Sequence, residues 1–186
     1  MFRRNFLKNS IIGSLSASTI MSLTNKNNPI VKSVPRIIST WKHGVNANKI
    51  AWKKLNNGEG GLTAVEYGVR DSENDPNERS VGYGGLPDRE GKVTLDACIM
   101  DSNNDCGSVS FLENIKNPIS VARLVMEKTP HIMLSGKGAY DFAIENGFKS
   151  ENLLTEQSKK DWENWLKKSE YKPIINIENH DTISML

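Results

Sequence analysis

The feature that most constrains the fold is a pair of β-rich segments separated by a short polar turn. Residues 92–100 (KVTLDACIM) and 107–112 (GSVSFL) carry β-branched and aromatic side chains, and residues 101–105 between them are Asp, Ser and Asn. This arrangement predicts a β-hairpin. A two-stranded hairpin is only marginally stable in water and must bury one face against another layer. The chain is therefore expected to fold into stacked layers of helix and sheet.

Helical spacing of apolar residues dominates the chain on both sides of the predicted hairpin. The clearest helix start is Asn117-Pro118, an N-cap residue followed by proline at the first helical position, and this helix must end before Pro130. Helices before and after a hairpin are typical of the α+β class. The other predicted elements are helices over residues 48–55, 63–70, 138–146 and 156–168, and strands over residues 31–40 and 131–134.

A long connection, residues 71–91, is rich in Asp, Asn, Pro and Gly. Loops of this length in a compact domain usually carry function, so candidate site residues are expected there.

The charge distribution argues against a nucleic-acid partner. Lys and Arg number 24 against 22 Asp and Glu, a net charge of +2. The first 25 residues contain Arg3, Arg4 and Lys8 and no acidic residue, so the remainder is close to neutral. A basic surface of the kind that binds phosphate backbones is therefore not expected.

The amino terminus has the pattern of an export signal. Arg3 and Arg4 lead into Phe6, Leu7 and Lys8, and an uncharged stretch follows over residues 11–23. That stretch is too short and too polar to span a membrane, which takes about 20 mostly apolar residues. The string resembles the twin-arginine signal of bacteria, an address rather than an anchor. Residues 1–30 are therefore interpreted as signal and linker, and the mature protein is expected to be periplasmic without a membrane anchor.

Metal and phosphate sites are not indicated. His43, His131 and His180 are far apart, and none lies in an HExxH or Cys-x-x-Cys pattern. The glycine-rich residues 82–85 lack the following Lys and Ser/Thr that a phosphate-binding loop requires. No metal and no cofactor are expected.

For the two cysteines, His131, Trp162 and Trp165, a structural role is favoured over a functional one. Cys98 is expected to be a small hydrophobic residue in a strand, with a Cys98–Cys106 disulfide across the hairpin as the alternative. His131 is expected to be a structural histidine in a short buried strand. Trp162 and Trp165 share a helix face, which favours core packing over a sugar-stacking platform.

Motifs spread along the chain, in a fixed order, carry a resemblance to a known family. They are residues 39–41 (STW), 75–76 (DP), 78–85 (ERSVGYGG), 87–88 (PD), 93–97 (VTLDA), 117–123 (NPISVAR) and 172–183 (KPIINIENHDTI). Together they resemble the glycosylasparaginases, N-terminal-nucleophile hydrolases that split the linkage between N-acetylglucosamine and asparagine. The resemblance covers roughly residues 36–186.

The resemblance implies an αββα four-layer sandwich of which this chain carries the amino-terminal half. Residues 31–181 would correspond to the family's α-subunit and residues 182–186 to the start of its β-subunit. The missing β-subunit would supply the remaining strands, the groups that bind the substrate and the oxyanion donors. A family-like heterotetramer would form only with that subunit supplied. No cofactor is implied.

The resemblance also implies a site. Thr182 would be the nucleophile, released by self-cleavage of the Asp181–Thr182 bond with help from His180 or Asp181 as proton acceptor. The free α-amine of Thr182, with an ordinary pKa near 8, would then serve as base, so one residue supplies both groups. Trp41 and Ser80 would contact the substrate, a small glycosylated asparagine.

Departures from the family pattern bear on self-cleavage. Ser184 stands where the family usually has glycine, and its Cβ is expected to slow the reaction. Thr63 stands where the family usually has aspartate. Residues 182–186 are expected to be too few to pair as a strand and hold the scissile bond, so the chain alone is expected to be uncleaved and inactive.

Two other functions remain open at the level of sequence. One is that the chain is a catalytically dead remnant that acts at most as a binding protein. The other is that it is an L-asparaginase or isoaspartyl peptidase of the same superfamily.

Overall fold

A computed structural model of the chain describes residues 34–168 and 182–186. The chain divides into two compact units, Met1–Pro35 and Arg36–Leu186. Only Val34 and Pro35 of the first unit are described, and both are exposed. The expectations for the signal region and for His180 and Asp181 therefore lie outside the described residues.

The second unit contains five helices and three strands among the described residues. In chain order they are α1 (Gly44–Asn56), α2 (Gly61–Asn74), β1 (Thr94–Met100), β2 (Cys106–Glu113), α3 (Pro118–Lys128), β3 (Met133–Ser135), α4 (Gly136–Glu145) and α5 (Glu156–Leu166). The predicted hairpin is confirmed, because β1 pairs antiparallel with β2. β3 adds to β2 in parallel, which gives the strand order β1-β2-β3. The α+β class is likewise confirmed.

The hairpin contains a bulge. Its register shifts between Leu95 and Ala97, so that two residues of β2 oppose Asp96. Phe111, at the bulge, has a φ of 51°, and its N–H donates to Oδ1 of Asp96 at 2.8 Å. The carboxylate thus takes the place of the ladder partner that the bulge removes.

Helices α3 and α4 cover one face of the sheet. Asn117 and Pro118 start α3 as predicted, with the proline at the first helical position where no N–H is needed. The core formed between these layers is apolar and consists of alanine and branched aliphatic side chains: Val109, Leu112, Ile119, Val121, Val125, Ala139 and Ala143.

Helices α1 and α2 pack closely because their contact face is built from small residues, including Ala47, Ala51 and Ala64. A Cβ at Gly68 would lie 2.9 Å from the Ala47 carbonyl oxygen and 2.7 Å from Sδ of Met185. Only glycine therefore fits where α2 meets both α1 and the carboxyl-terminal segment.

Helix α5 packs against the long loop rather than against the core. Ser158 Oγ donates to the Gly84 carbonyl at 2.5 Å, and Trp162 Nε1 donates to the Arg89 carbonyl at 3.2 Å. The Trp162 ring lies against Gly91, and Trp165 is exposed. The prediction that the two tryptophans fill the core is therefore wrong, because this helix packs against a loop.

Two further expectations fail because, among the described residues, no helix covers the outer face of the sheet. His131 and Met133 are exposed, so the predicted buried strand is an exposed one. Cys98 is also exposed rather than buried. Cys98 and Cys106 are both free, and the register sets Ser108 opposite the first and Met100 opposite the second.

A buried carboxylate links α2 to the start of α3. Glu73 Oε1 accepts from the Ile119 N–H at 3.0 Å, and Oε2 accepts from Asn117 Nδ2 at 3.1 Å. It thereby satisfies an N–H that a helix start leaves without an intrahelical partner. Burial raises the pKa of Glu73 to about 8, and the hydrogen bonds from Asn117 and Ile119 only partly oppose this rise.

A second buried contact joins the same two helices. Glu66 accepts from Ser120 Oγ at 2.5 Å and from Arg123 Nη1 at 2.8 Å. The same guanidinium nitrogen donates to Thr63 Oγ1 at 3.1 Å. Thr63 stands where the resemblance predicts aspartate, and its hydroxyl oxygen accepts a hydrogen bond from Arg123.

We expect the free energy of unfolding to fall between pH 5 and pH 8 through Glu73. The unfolded chain loses this proton near the ordinary value of 4.5, whereas the folded chain keeps it until about pH 8. Between these values the folded state binds more protons, so rising pH favours unfolding, by on the order of 1 kcal/mol per pH unit. Glu73→Gln has no proton to lose, and urea titrations across this range should show the difference between the two proteins.

The exposed Glu145 supplies the matched control, Glu145→Gln. Its stability curve should run parallel to that of the unsubstituted chain. A Glu73→Gln curve that also ran parallel would contradict the raised pKa of Glu73.

Candidate functional site

The carboxyl-terminal segment pairs antiparallel with the segment that precedes α1. The Ile38 N–H donates to the Leu186 carbonyl at 2.9 Å, and the Leu186 N–H donates back at the same distance. The Thr40 N–H donates to the Ser184 carbonyl at 3.0 Å. We call residues 38–40 and 184–186 the terminal ladder.

The prediction that residues 182–186 are too few to pair is wrong. Ile183 and Met185 are buried in the core cluster, and Met185 lies against Gly68 of α2. Packing of these two side chains therefore anchors the segment, and its length does not decide whether it pairs. Their alternation with exposed residues is the period-two pattern of a half-buried strand.

The hydroxyl of Thr40 holds the backbone beside Thr182. Oγ1 of Thr40 donates to the Thr182 carbonyl at 3.3 Å and accepts from the Ser184 N–H at 2.9 Å. Both peptide groups that flank Ile183 are therefore fixed to one side chain. Sequence-based interpretation assigned no role to Thr40, although it lies inside the motif of residues 39–41.

Trp41 is in a strained backbone conformation next to this contact. Its φ is 61°, and for a bulky side chain the left-handed region is a genuine outlier. The indole is 45% exposed, at the turn where the terminal ladder leads into α1. Strain of this kind costs about 1–3 kcal/mol and persists where the surrounding structure enforces it, which is common at functional sites.

Ser80 lies in the long loop, and its segment is attached to the same turn. The Glu78 carboxylate pairs with Nδ1 of His43, two residues after Trp41. The side chain of His43 is 11% exposed. Within the described ranges, Oγ of Ser80 and Nε2 of His43 are buried and have no hydrogen-bond partner. No local sequence pattern predicts the His43–Glu78 pair, because the two residues are 35 positions apart.

Ser184 occupies an exposed position in the terminal ladder. Its φ is not in the left-handed region, so the backbone there does not require glycine. Its effect on self-cleavage stays a prediction.

Metal and membrane features can be stated for residues 34–168 and 182–186 alone. In these ranges no group of three or more His, Cys, Asp or Glu side chains could hold a metal ion. None of the helices described there is long and apolar enough to cross a membrane.

Comparison with known proteins supplies the family. The family model described as asparaginase (Asparaginase_2) matches residues 17–184. A relative from Elizabethkingia miricola, named N(4)-(β-N-acetylglucosaminyl)-L-asparaginase, is 58% identical over 189 residues, which cover 99% of this chain and 55% of the relative. A relative of the same name from Rattus norvegicus is 36% identical over 195 residues, which cover 88% of this chain and 55% of that protein.

The chain belongs to the asparaginase family, and its resemblance to the glycosylasparaginases is confirmed. It spans about half the length of these curated relatives.

We expect Thr40→Val to loosen the terminal ladder locally. Valine keeps the shape of the side chain but cannot bond the Thr182 carbonyl or the Ser184 N–H. A lost hydrogen bond of about 1 kcal/mol corresponds to roughly fivefold faster exchange of the Ser184 amide. Hydrogen exchange followed by NMR on the 186-residue chain measures this rate.

Thr40→Ser retains the hydroxyl and should protect the Ser184 amide nearly as well as threonine does. Equal exchange rates in the valine and serine variants would contradict the role of the Thr40 hydroxyl.

Proposed function

We propose that the chain is the amino-terminal part of an exported glycosylasparaginase that hydrolyses the amide bond between N-acetylglucosamine and asparagine. The observation that supports this most strongly is the double hydrogen bond of Thr40 to the backbone on both sides of Ile183, one residue from the strained Trp41. The names of the relatives support the same substrate class. The proposed architecture is the αββα sandwich, whose layers are completed by the part of the relatives that this chain does not span.

The proposed first step is self-cleavage before Thr182. The Thr182 hydroxyl oxygen attacks the Asp181 carbonyl carbon, the peptide C–N bond breaks, and the hydroxyl proton passes to the leaving nitrogen. Water then hydrolyses the resulting ester, which gives Asp181 an α-carboxylate and restores the Thr182 hydroxyl beside the α-amine that was freed when the C–N bond broke. His180 and Asp181 are the proposed proton acceptors.

Turnover uses the new terminus. The α-amine accepts the Thr182 hydroxyl proton while the oxygen attacks the side-chain amide carbon of the substrate, and the glycosylamine leaves with a proton. Water then releases aspartate from the β-aspartyl ester on Thr182. Such attack requires near-attack geometry, in which reacting atoms are held about 3–3.5 Å apart. Holding the backbone of residues 182–184 is the proposed contribution of Thr40.

The proposed roles of Trp41 and Ser80 are to wall the pocket and to hydrogen-bond the substrate. The exposed indole offers a large apolar surface. The buried Ser80 hydroxyl has bonding capacity that the described residues do not use. Because the chain spans about half of its relatives, we propose that it shows no turnover alone.

We expect activity when this chain is joined to the carboxyl-terminal half of the Elizabethkingia miricola relative. The joined protein should cleave itself, expose threonine as a new amino terminus and release aspartate and a glycosylamine from N-acetylglucosaminyl-asparagine. Hydrolysis of the glycosylamine in water then yields the ammonia that is measured. Thr182→Ala should abolish both reactions because the nucleophile is gone. Trp41→Ala should cleave normally but lose about tenfold in kcat/KM, because the indole contacts substrate and not the scissile bond.

Thr182→Ser is the matched control, since serine keeps a hydroxyl and should still cleave. Intact-mass measurement and amino-terminal sequencing decide the outcome. Cleavage in Thr182→Ala would contradict the proposed nucleophile. Loss of the pentapeptide 182–186 from the 186-residue chain alone would contradict the proposed need for the missing half.

A further inference from the structure

The segment that carries Ser80 is attached to two different helices by two consecutive side chains. Glu78 pairs with His43 at the start of α1, and Arg79 pairs with Asp161 in the middle of α5. We call these two side-chain contacts the Glu78–Arg79 clamp. The Arg79 carbonyl also accepts from the Leu86 N–H at 2.8 Å, which closes the loop behind Ser80.

The two contacts of the clamp differ in their exposure to solvent. The His43 and Glu78 side chains are 11% and 28% exposed, whereas those of Arg79 and Asp161 are 42% and 31% exposed. Screening by water weakens the second pair more than the first. The pair to α1 is thus the stronger of the two, and it joins the Ser80 segment to the turn after Trp41.

The clamp explains how a buried hydroxyl stays in place without a hydrogen bond of its own. Oγ of Ser80 is buried and unpartnered in the part of the chain that the structure describes. Leaving a buried polar group unbonded costs free energy, and long loops move unless something holds them. Here the two preceding residues, Glu78 and Arg79, attach the segment to α1 and α5, whereas the Ser80 hydroxyl makes no such contact.

We propose that Glu78 and Arg79 are positioning residues, which hold the Ser80 segment against α1 and α5 so that the Ser80 hydroxyl remains available to a polar group of the substrate. This rests on the proposed function for the identity of the substrate. It gives roles to His43 and Asp161 as the two anchor points.

The attachment itself can be tested by trypsin digestion of the 186-residue chain. Cleavage of the Arg79–Ser80 bond requires the clamp to open, whereas Arg89–Glu90, in the same loop, is held separately by Trp162. His43→Ala and Asp161→Asn should each raise the ratio of the first cleavage rate to the second by about two- to fivefold. Asp141→Asn, which removes the carboxylate of another helix ion pair, should leave the ratio unchanged.

The positioning role needs a kinetic readout in the joined protein. We expect His43→Ala and Asp161→Asn to raise KM for N-acetylglucosaminyl-asparagine about two- to fivefold, with kcat and the extent of self-cleavage unchanged. His43→Gln keeps an N–H donor for Glu78 and should restore KM. Loss of stability alone would lower self-cleavage and kcat as well.

The digestion and the kinetics test the clamp and the proposed function separately. An unchanged cleavage ratio in both variants would overturn the clamp, whatever the catalytic result. A raised ratio with unchanged KM would overturn the positioning role. A joined protein without hydrolase activity would overturn the proposed function and the substrate role of Ser80, while the digestion would still decide whether the clamp exists.

Discussion

The structure of the site depends on the pairing of two chain segments that are more than 140 residues apart in sequence. The Thr40 hydroxyl contributes two hydrogen bonds to this pairing, one to the Thr182 carbonyl and one from the Ser184 N–H. Each bond alone is worth on the order of 1 kcal/mol. Burial of Ile183 and Met185 supplies the apolar contact that makes the pairing stable enough for those bonds to persist.

Two further sets of contacts hold the described elements in place. Gly68 lets α2 approach both Ala47 and Met185, so the α1–α2 pair forms the surface on which the terminal ladder packs. Helix α5 holds the long loop through Ser158 and Trp162. A loop rich in glycine and proline thereby acquires a defined course without regular secondary structure.

Local sequence signals predict the helices and the hairpin, but they do not predict the contacts between these elements. Asn117-Pro118 and the polar turn at residues 101–105 located a helix start and a hairpin, because capping and turn chemistry are short-range. The Glu78–His43 contact joins a loop to a helix start 35 residues away, and no local pattern encodes it.

Errors arose where burial depends on what an element packs against. The spacing of Trp162 and Trp165 indicated one helix face correctly, but that face meets a loop and solvent. A position inside a strand predicts burial for Cys98, yet the described helices cover the other face of this sheet. For residues 182–186, length was the wrong criterion, since two buried side chains are enough to anchor five residues.

A disulfide test of the terminal ladder addresses the central claim most directly. Ile38 and Leu186 exchange both backbone hydrogen bonds, which implies a Cα separation of about 5.5 Å, within reach of a disulfide. Ile38→Cys/Leu186→Cys, in a chain with Cys98 and Cys106 replaced by serine, should oxidise rapidly. Ile38→Cys/Ser184→Cys, a diagonal pair about 7–8 Å apart, should not. Equal rates of oxidation for the two pairs would contradict the register that holds Thr182 beside Thr40.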